Sequence, residues 1–351
     1  MNKGMSKFEK KKHFVGIDIS KDTLDLCIIK GESPGKYNDL RIKNALTDFG
    51  RVTKWINNHR VNIGDCLFCM EHTGTYGLLL FAWLNSQGID FCVKPGLEIK
   101  RSLGMTRGNS DRVSARRIAE YASEKRGKLT SFEMPSKLLI QIKQLLTYRD
   151  QMVRIKTALM NSRQSHQEYE QVSDLVDISQ KLNMQIRQMQ DVVADTEKKI
   201  KALIKSDPQV QKNFTLASSV KGIGLVIAAF MLVTTNNFNS FSSGRKYACY
   251  AGVAPFEHSS GTSVKGQTKV SHLGNKTIKT LLSNGANSAA SWDKELRAYY
   301  ERKLAEGKKH NVIMNAIKCK LINRVFATIK RQTPFVDIYQ HNFAINNLQT
   351  S

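Results

Sequence analysis

Hydrophobic periodicity changes character near Pro135, and that change commits the chain to two dissimilar halves. From Lys12 to about Gly127, apolar runs of strand length alternate with helical segments. From Pro135 to about Asp207 no strand signal occurs, and Leu138, Ile142, Leu145, Met152, Ile155 and Leu159 recur by threes, fours and sevens. Leu175, Leu182, Ile186, Met189, Val193, Ile200 and Leu203 repeat the pattern. The expectation is an α/β plus all-α chain. Its 351 residues exceed what one core usually supports.

The first half opens with HFVGIDIS and TLDLCIIK, two strands joined by SKD as a hairpin, then a third extended stretch near KYNDLRIKN. A helix around Leu46 to Asn57, the strand CLFCME, the helix YGLLLFAWLNSQG, the strand DFCVKP and basic helices through Arg101 and Arg112 to Lys125 follow. A three-strand meander followed by αβαβα is the order of an RNase H-like layer. The two long helices predict a coiled-coil connector, and the same spacing fits a helical hairpin packed on its own domain. After Pro208, Gly, Ser, Asn and Thr clusters separate helices. The expected division is 12–128, RNase H-like; 129–207, coiled coil; 208–335, a helical domain; and 336–351, a polar, frayed tail.

Charge narrows the partners. Lys and Arg number 54 against 30 acidic residues, a net charge of +24 that calls for a polyanion. Residues 245–351 alone hold 17 Lys or Arg and 6 Asp or Glu, a second basic region. A membrane is not expected: the longest apolar stretch, Ile223 to Val233, falls short of the roughly 20 residues a span needs. The basic start has no apolar segment before a cleavage site, which predicts no signal peptide and a cytoplasmic protein. Six cysteines in mostly apolar runs suit a reducing compartment. Cys66 and Cys69 form a CxxC, but with no second pair at zinc-ligand spacing they read as buried thiols.

Metal-assisted phosphodiester chemistry requires oxygen ligands converging from separate segments. Asp18 interrupts the first strand on the face opposite Val15 and Ile17, Glu71 ends CLFCME, and Asp111 opens a helix in NSDRVSARRIAEYA. Individually these suit a turn, a strand end and a helix N-cap. Together their placement on strand one, strand four and the closing helix predicts a metal-binding acidic cluster.

VGIDISKDTLDLCI, EHTGTY and SDRVSARRIAEYA resemble the RuvC-type domain of the insertion-sequence one-ten transposases, relatives of the Piv DNA invertases. That family carries a DEDD tetrad whose last two members stand three apart at a helix start. Asp18, Glu71 and Asp111 match three places, and Ser114 occupies the fourth. The resemblance implies magnesium or manganese as cofactor. A hydroxyl at Ser114 can hold a water but removes one charge, so weaker metal binding is the expectation.

Downstream, LASSVKGIGLVIAAFMLV resembles a helix-hairpin-helix, with Gly222 and Gly224 in a tight turn that could offer amides to a DNA phosphate; an ordinary interhelical turn fits equally. The segment YAGVAPFEHSSGTSVKGQTKVSHLGNKTIKTLLSNGANSAA resembles the family's second domain, in which a serine before the Gly of an SSG-like loop is the nucleophile. Ser260 is the match and Ser259 the fallback. Lys265, Lys269, Lys276 and Lys279, with Arg112 and Arg116 in the first half, suit nucleic-acid contact, and His258 and His272 suit proton transfer. The helix near Asn311 to Lys330 reads as packing and phosphate contact.

The resemblance therefore implies a recombinase with a composite active site, cutting and rejoining donor and target DNA through a serine-linked intermediate. It also implies a structured guide RNA and homodimers assembling into a tetramer. The alternatives are a DNA invertase or Holliday-junction-type nuclease without a guide, and a noncatalytic nucleic-acid-binding protein, for which Ser114 argues.

Overall fold

The computed structural model describes residues 7–31, 35–102, 110–170, 172, 177–260 and 264–336, with the side chains of 257–260 and 264–269 outside the description. The chain divides into two compact units, Met1–Met134 and Pro135–Ser351.

The first unit holds a five-stranded sheet made of β1 (His13–Ile19), β2 (Thr23–Lys30), β3 (Tyr37–Lys43), β4 (Cys66–Glu71) and β5 (Phe91–Lys94). Its order is β3-β2-β1-β4-β5, antiparallel through the meander and parallel from β1 to β5. This is the RNase H-like arrangement. Side chains alternate across it. Val15, Ile17, Leu24, Leu26, Phe68 and Met70 face α1 (Leu46–Asn58) and α2 (Leu78–Ser86), where Phe49, Val52, Ile56, Leu80 and Phe81 complete one core. Phe14, Leu67, Cys69 and Cys92 face the other way, toward α3 (Gly96–Ser102) and α4 (Asp111–Lys125). The CxxC is therefore split: Cys66 and Cys69 belong to opposite faces, and all six cysteines are free. Burial pushes the Cys66 thiol up to about 12, the state of an inert core thiol.

Helix α4 crosses β1 at backbone contact. The α-carbon of Gly16 lies against Ala115 and Ala119, and a methyl group there would overlap the Ala115 carbonyl oxygen and the Ala119 nitrogen. Ala115, Ile118, Ala119, Tyr121 and Ala122 supply the small and apolar face that this approach buries. Ser110 caps the helix, its hydroxyl accepting from the Val113 amide at 3.3 Å. On β3, Asp39 accepts from Arg112 Nε at 2.5 Å and from Arg116 Nη2 at 2.5 Å, and the Arg116 guanidinium lies over Tyr37. These pairs clamp the helix to the sheet edge.

In the second unit α5 (Lys137–Tyr169) and α6 (Asp177–Lys205) pair antiparallel, bridged by Arg149 to Glu197 and Arg163 to Asn183. They do not stand as a separate body. Leu139, Ile142, Leu146, Ile200 and Ile204 share a core with Val210 of α7 (Pro208–Ser218) and with Ala229 and Leu232 of α8 (Leu225–Thr234). The periodic pattern is thus satisfied within the unit over this stretch, while Ile155, one of its members, stays 44% exposed. Then come α9 (Gly244–Tyr250), β6 (Pro255–Ser260), β7 (Val264–Val270), α10 (Lys276–Trp292), α11 (Lys294–Ala305) and α12 (His310–Arg331). Ile278, Leu282, Ala286, Ile313, Ile317, Leu321 and Val325 fill the core between them. The polar tail from residue 337 lies outside the described residues. Among the described residues no helix is long and apolar enough to cross a membrane.

Because Gly16 permits the α4 approach, Gly16→Ala is expected to lower the unfolding free energy of the first unit by about 2 kcal/mol, the scale of overpacking a tight core. Denaturant melts followed through the first unit's tryptophans, Trp55 and Trp83, measure it. An unchanged midpoint would show that the helix can ride outward at no cost.

Candidate metal centre and nucleic-acid interface

The strand registers place the charged residues in one row. Arg41 pairs with Asp25 across β3 and β2, Asp25 with Asp18 across β2 and β1, and Glu71 with Lys94 across β4 and β5. The parallel pairing that sets Ile17 beside Met70 carries Asp18 to the level of Glu71. All five lie toward one end of the strands, on the α4 face. Asp111, in the first turn of α4, comes down on the row, with its Oδ2 at 3.5 Å from Arg41 Nη2. The structure thus brings together the three carboxylates predicted for the site. Ser114 follows Asp111 by three residues on the same helix and is half-buried.

Electrostatics register this crowding. Burial first, then the neighbouring carboxylates of Asp111, Glu71 and Asp25, push the Asp18 carboxyl up to about 6. Asp25 is raised as well, by burial, with the Arg41 guanidinium opposing. Asp39, by contrast, is held below its usual range. Burial raises it, but hydrogen bonds from Arg116 and Arg112 outweigh that effect. Among the described residues no three His, Cys, Asp or Glu side chains form a ready metal cage. The donor chemistry nevertheless fits a hard divalent cation: oxygen ligands alone, from separate strands and a helix, with Arg41 relieving their mutual repulsion only in part. The buried hydroxyl of Thr73, two residues beyond Glu71, also has no hydrogen-bond partner among the described residues.

Two supporting residues escaped the sequence reading. Gly96, at the start of α3, lies so close to the Glu71 carboxylate that a methyl group there would overlap it. Asn44 donates to the carbonyls of Ser20 and Tyr76, both at 3.0 Å, tying the β1–β2 turn to the EHTGTY loop. The only available signal for Gly96 was a glycine after proline at a strand end.

The predicted nucleic-acid residues fare differently. Arg116 and Arg112 are engaged with Asp39; Arg112 keeps 65% of its side chain exposed. Gly222 has φ +91 and packs against α10, where a methyl group would overlap the Gly285 carbonyl oxygen, so close helix packing accounts for it. Gly224, the exposed N-cap of α8, meets no neighbour within 4 Å. Ser260 stands immediately before residues 261–263, which lie outside the described residues. It ends β6 of an antiparallel hairpin, pairing with Val264, while Ser259 pairs with Lys265 and His258 with Gly266. The side chains of His258, Ser259, Ser260, Lys265 and Lys269 lie outside the described residues. Lys276 is exposed at the start of α10 and Lys279 half-buried one turn on, near enough to Lys318 to lower its pKa after burial has done so. His272 is exposed just beyond the hairpin.

A transposase family model of the DEDD IS110 type matches residues 15–169, and a second, described as transposase of the IS116/IS110/IS902 family, matches residues 215–301. Together they cover more than half of the chain. The chain belongs to the IS110 family of transposases. The pilin gene-inverting protein of Moraxella bovis is 26% identical over 331 residues, spanning 92% of this chain and 98% of that one. An uncharacterized 43.6 kDa protein of insertion element IS110 from Streptomyces coelicolor is 32% identical over 137 residues, 39% of this chain and 33% of its own length. The solved structure of T. thermophilus RuvC in complex with Holliday junction substrate is 13% identical with a TM-score of 0.26, over 34% of this chain and 99% of that chain. The residues of the acidic row fall within the first IS110 match, and the β6–β7 hairpin within the second.

The raised Asp18 carboxyl carries a sign. Its folded pKa of about 6 lies above the ordinary 3.8, so its contribution to stability is present at low pH and lost as pH rises through that window. Metal-free Asp18→Asn is expected to melt above the unaltered protein at pH 7.5, by on the order of 1 kcal/mol after solvent screening, with the difference vanishing near pH 4. Equal melting at both pH values would show that neither burial nor the neighbouring carboxylates burden Asp18.

Proposed function

We propose that this IS110-family chain is a DNA recombinase that cuts and rejoins DNA strands through a phosphoserine intermediate formed on Ser260. The observation that carries the reading is the convergence of Asp18, Glu71 and Asp111 at one end of the sheet's central strands, in a chain matching transposase models in both units. Asp18, Glu71 and Asp111 are the residues that would hold magnesium or manganese, which when bound supplies charge neutralisation at the scissile phosphate.

Ser260 Oγ attacks phosphorus and loses its proton; a sugar hydroxyl leaves from the opposite side, taking a proton up. His258 and His272 are the candidates for moving that proton, and Ser259 is the alternative nucleophile. The ester retains the energy of the phosphodiester, so the hydroxyl of a different strand can attack it, release Ser260 and reseal the backbone. Lys265, Lys269, Lys276 and Lys279 contact phosphates on either side, with Arg112 and the amides at Gly224 as further contacts. The net charge of +24 supports more than one polyanionic partner, and we assign the second to a structured guide RNA pairing with donor and target DNA. Homodimers assembling into a tetramer would bring two DNAs together.

A second reading, site-specific inversion without a guide, draws on the Moraxella bovis relative, which matches over nearly its whole length and is named for inverting a pilin gene. The chemistry is the same; the arrangement of ends differs.

Incubation with a nicked suicide DNA substrate and magnesium is expected to trap a protein–DNA adduct, absent in Ser260→Ala and retained in Ser259→Ala. Free ends without adduct would leave a nuclease, and neither product a binding protein. RNA copurifying with the active protein, and loss of strand exchange on its removal, separates guided transposition from inversion.

A further inference from the structure

The family's fourth carboxylate position is filled here by Ser114, yet the sheet supplies another carboxylate within the same row. Asp25 stands directly across from Asp18 in the antiparallel β1–β2 pairing, so both side chains leave the same face of the sheet. Side chains directly opposite in such a pair have β-carbons about 5 Å apart. Asp25 lies on the α4 side with only 7% of the residue exposed, as does Cys27 two residues on, while Leu24, Leu26 and Ile28 turn to the opposite core.

What neutralises it is informative. Arg41 reaches across from β3, its Nε at 3.5 Å from Asp25 Oδ2 and its Nη2 at 3.5 Å from Asp111 Oδ2. One guanidinium, on a side chain 61% exposed, thus spans a sheet carboxylate and the helix carboxylate. Lys94 closes the other end of the row and is itself drawn to Glu98 at 3.6 Å. Between these cations lie Asp25, Asp18 and Glu71, with Asp111 above: four carboxylates from four separate elements.

We propose that Asp25 is the fourth carboxylate of the metal centre, supplied by β2 in place of the one missing at Ser114, with Arg41 as the cation that bridges Asp25 and Asp111 until metal displaces it. This rests on the metal-dependent reading above. A pair of divalent ions carries four positive charges, which Asp18, Glu71 and Asp111 balance only in part and which Asp25 completes. An Asp25 that only held Arg41 would lend the cation a screened attraction and no ligating oxygen, so neutralising it would cost less than losing a ligand, and Ser114→Asp would not be needed to make good the loss.

The test is direct Mn2+ binding by the full chain, read as loss of the free-ion paramagnetic resonance signal, with thermal melting recorded on every variant. Asp18→Asn is expected to abolish binding. Asp25→Asn is expected to weaken it more than about 100-fold, beyond the roughly 10–100-fold that losing a supporting hydrogen-bond partner costs, and Ser114→Asp in that background to restore it. Ser114→Asp alone is expected to leave affinity within about twofold, because the fourth carboxylate is already present. Asp25→Asn binding like the unaltered protein, while Asp18→Asn does not bind, overturns the role of Asp25 and leaves the metal centre standing. No Mn2+ binding by the unaltered protein, or full binding by Asp18→Asn, removes the centre and the proposal together. Should Asp25→Asn fail to fold, the single Ser114→Asp variant decides: unchanged affinity supports the proposal, and a tenfold gain overturns it.

Discussion

The near-contact of α4 with β1 at Gly16 is the constraint on which the first unit depends. Any side chain at that position would drive the helix outward, and with it Asp111, whose place above the row comes from the first turn of the same helix. Ala115 and Ala119 answer Gly16 from the helix side, so the approach is built from small residues on both partners. The clamp made by Arg112 and Arg116 on Asp39 fixes the rotation of the helix about that contact. Removing freedom in both distance and rotation leaves Asp111 one position relative to Asp18.

Holding like charges together costs stability, and the unit distributes that cost. The N-terminal turn of α4 favours the negative charge of Asp111, because the unpaired amides of a helix start carry partial positive charge. Arg41 and Lys94 bracket the row at its ends. What remains unrelieved is concentrated at Asp18, in the middle, where the carboxyl is raised furthest. On the proposed reading, a cation entering the row would relieve the Asp18 carboxyl first, and metal affinity would then be coupled to the stability of the metal-free fold: whatever softens the repulsion before binding would reduce the gain on binding.

Much of this was legible from periodicity. Strand-length alternation before Pro135 and helical spacing after it specify an α/β unit and a helical one, and the strand assignments alone place Asp18, Glu71 and Asp111 at adjacent element ends. Asp25 was not legible, because recognising it requires the β1–β2 register, which is set by the length of the SKD turn rather than by the charge itself. Gly16 and Gly96 are invisible for a related reason: their importance lies in what a methyl group would strike in a distant segment. Arg116 looks like a nucleic-acid contact in a basic helix, and only the appearance of Asp39 on the neighbouring strand commits it to the fold.

The second unit shows the opposite failure. FEHSSGTSVKGQTK lacks the apolar alternation that announces a half-buried strand, and no strand is expected there beyond the SSG-like loop; yet β6 and β7 pair, Pro255 with Val270 through Ser260 with Val264. A two-stranded ribbon of so polar a sequence owes its form to backbone pairing and to its anchorage. At its base Ala251, Val253 and Ala254 are buried in the helical core, and Gly252 and Gly274 meet so closely that neither tolerates a β-carbon. Asn275 adds a second anchor, its side chain donating to the Tyr250 hydroxyl at 2.8 Å while its own amide donates to the Tyr250 carbonyl. The base of the ribbon is thus rooted in the helical packing of the second unit.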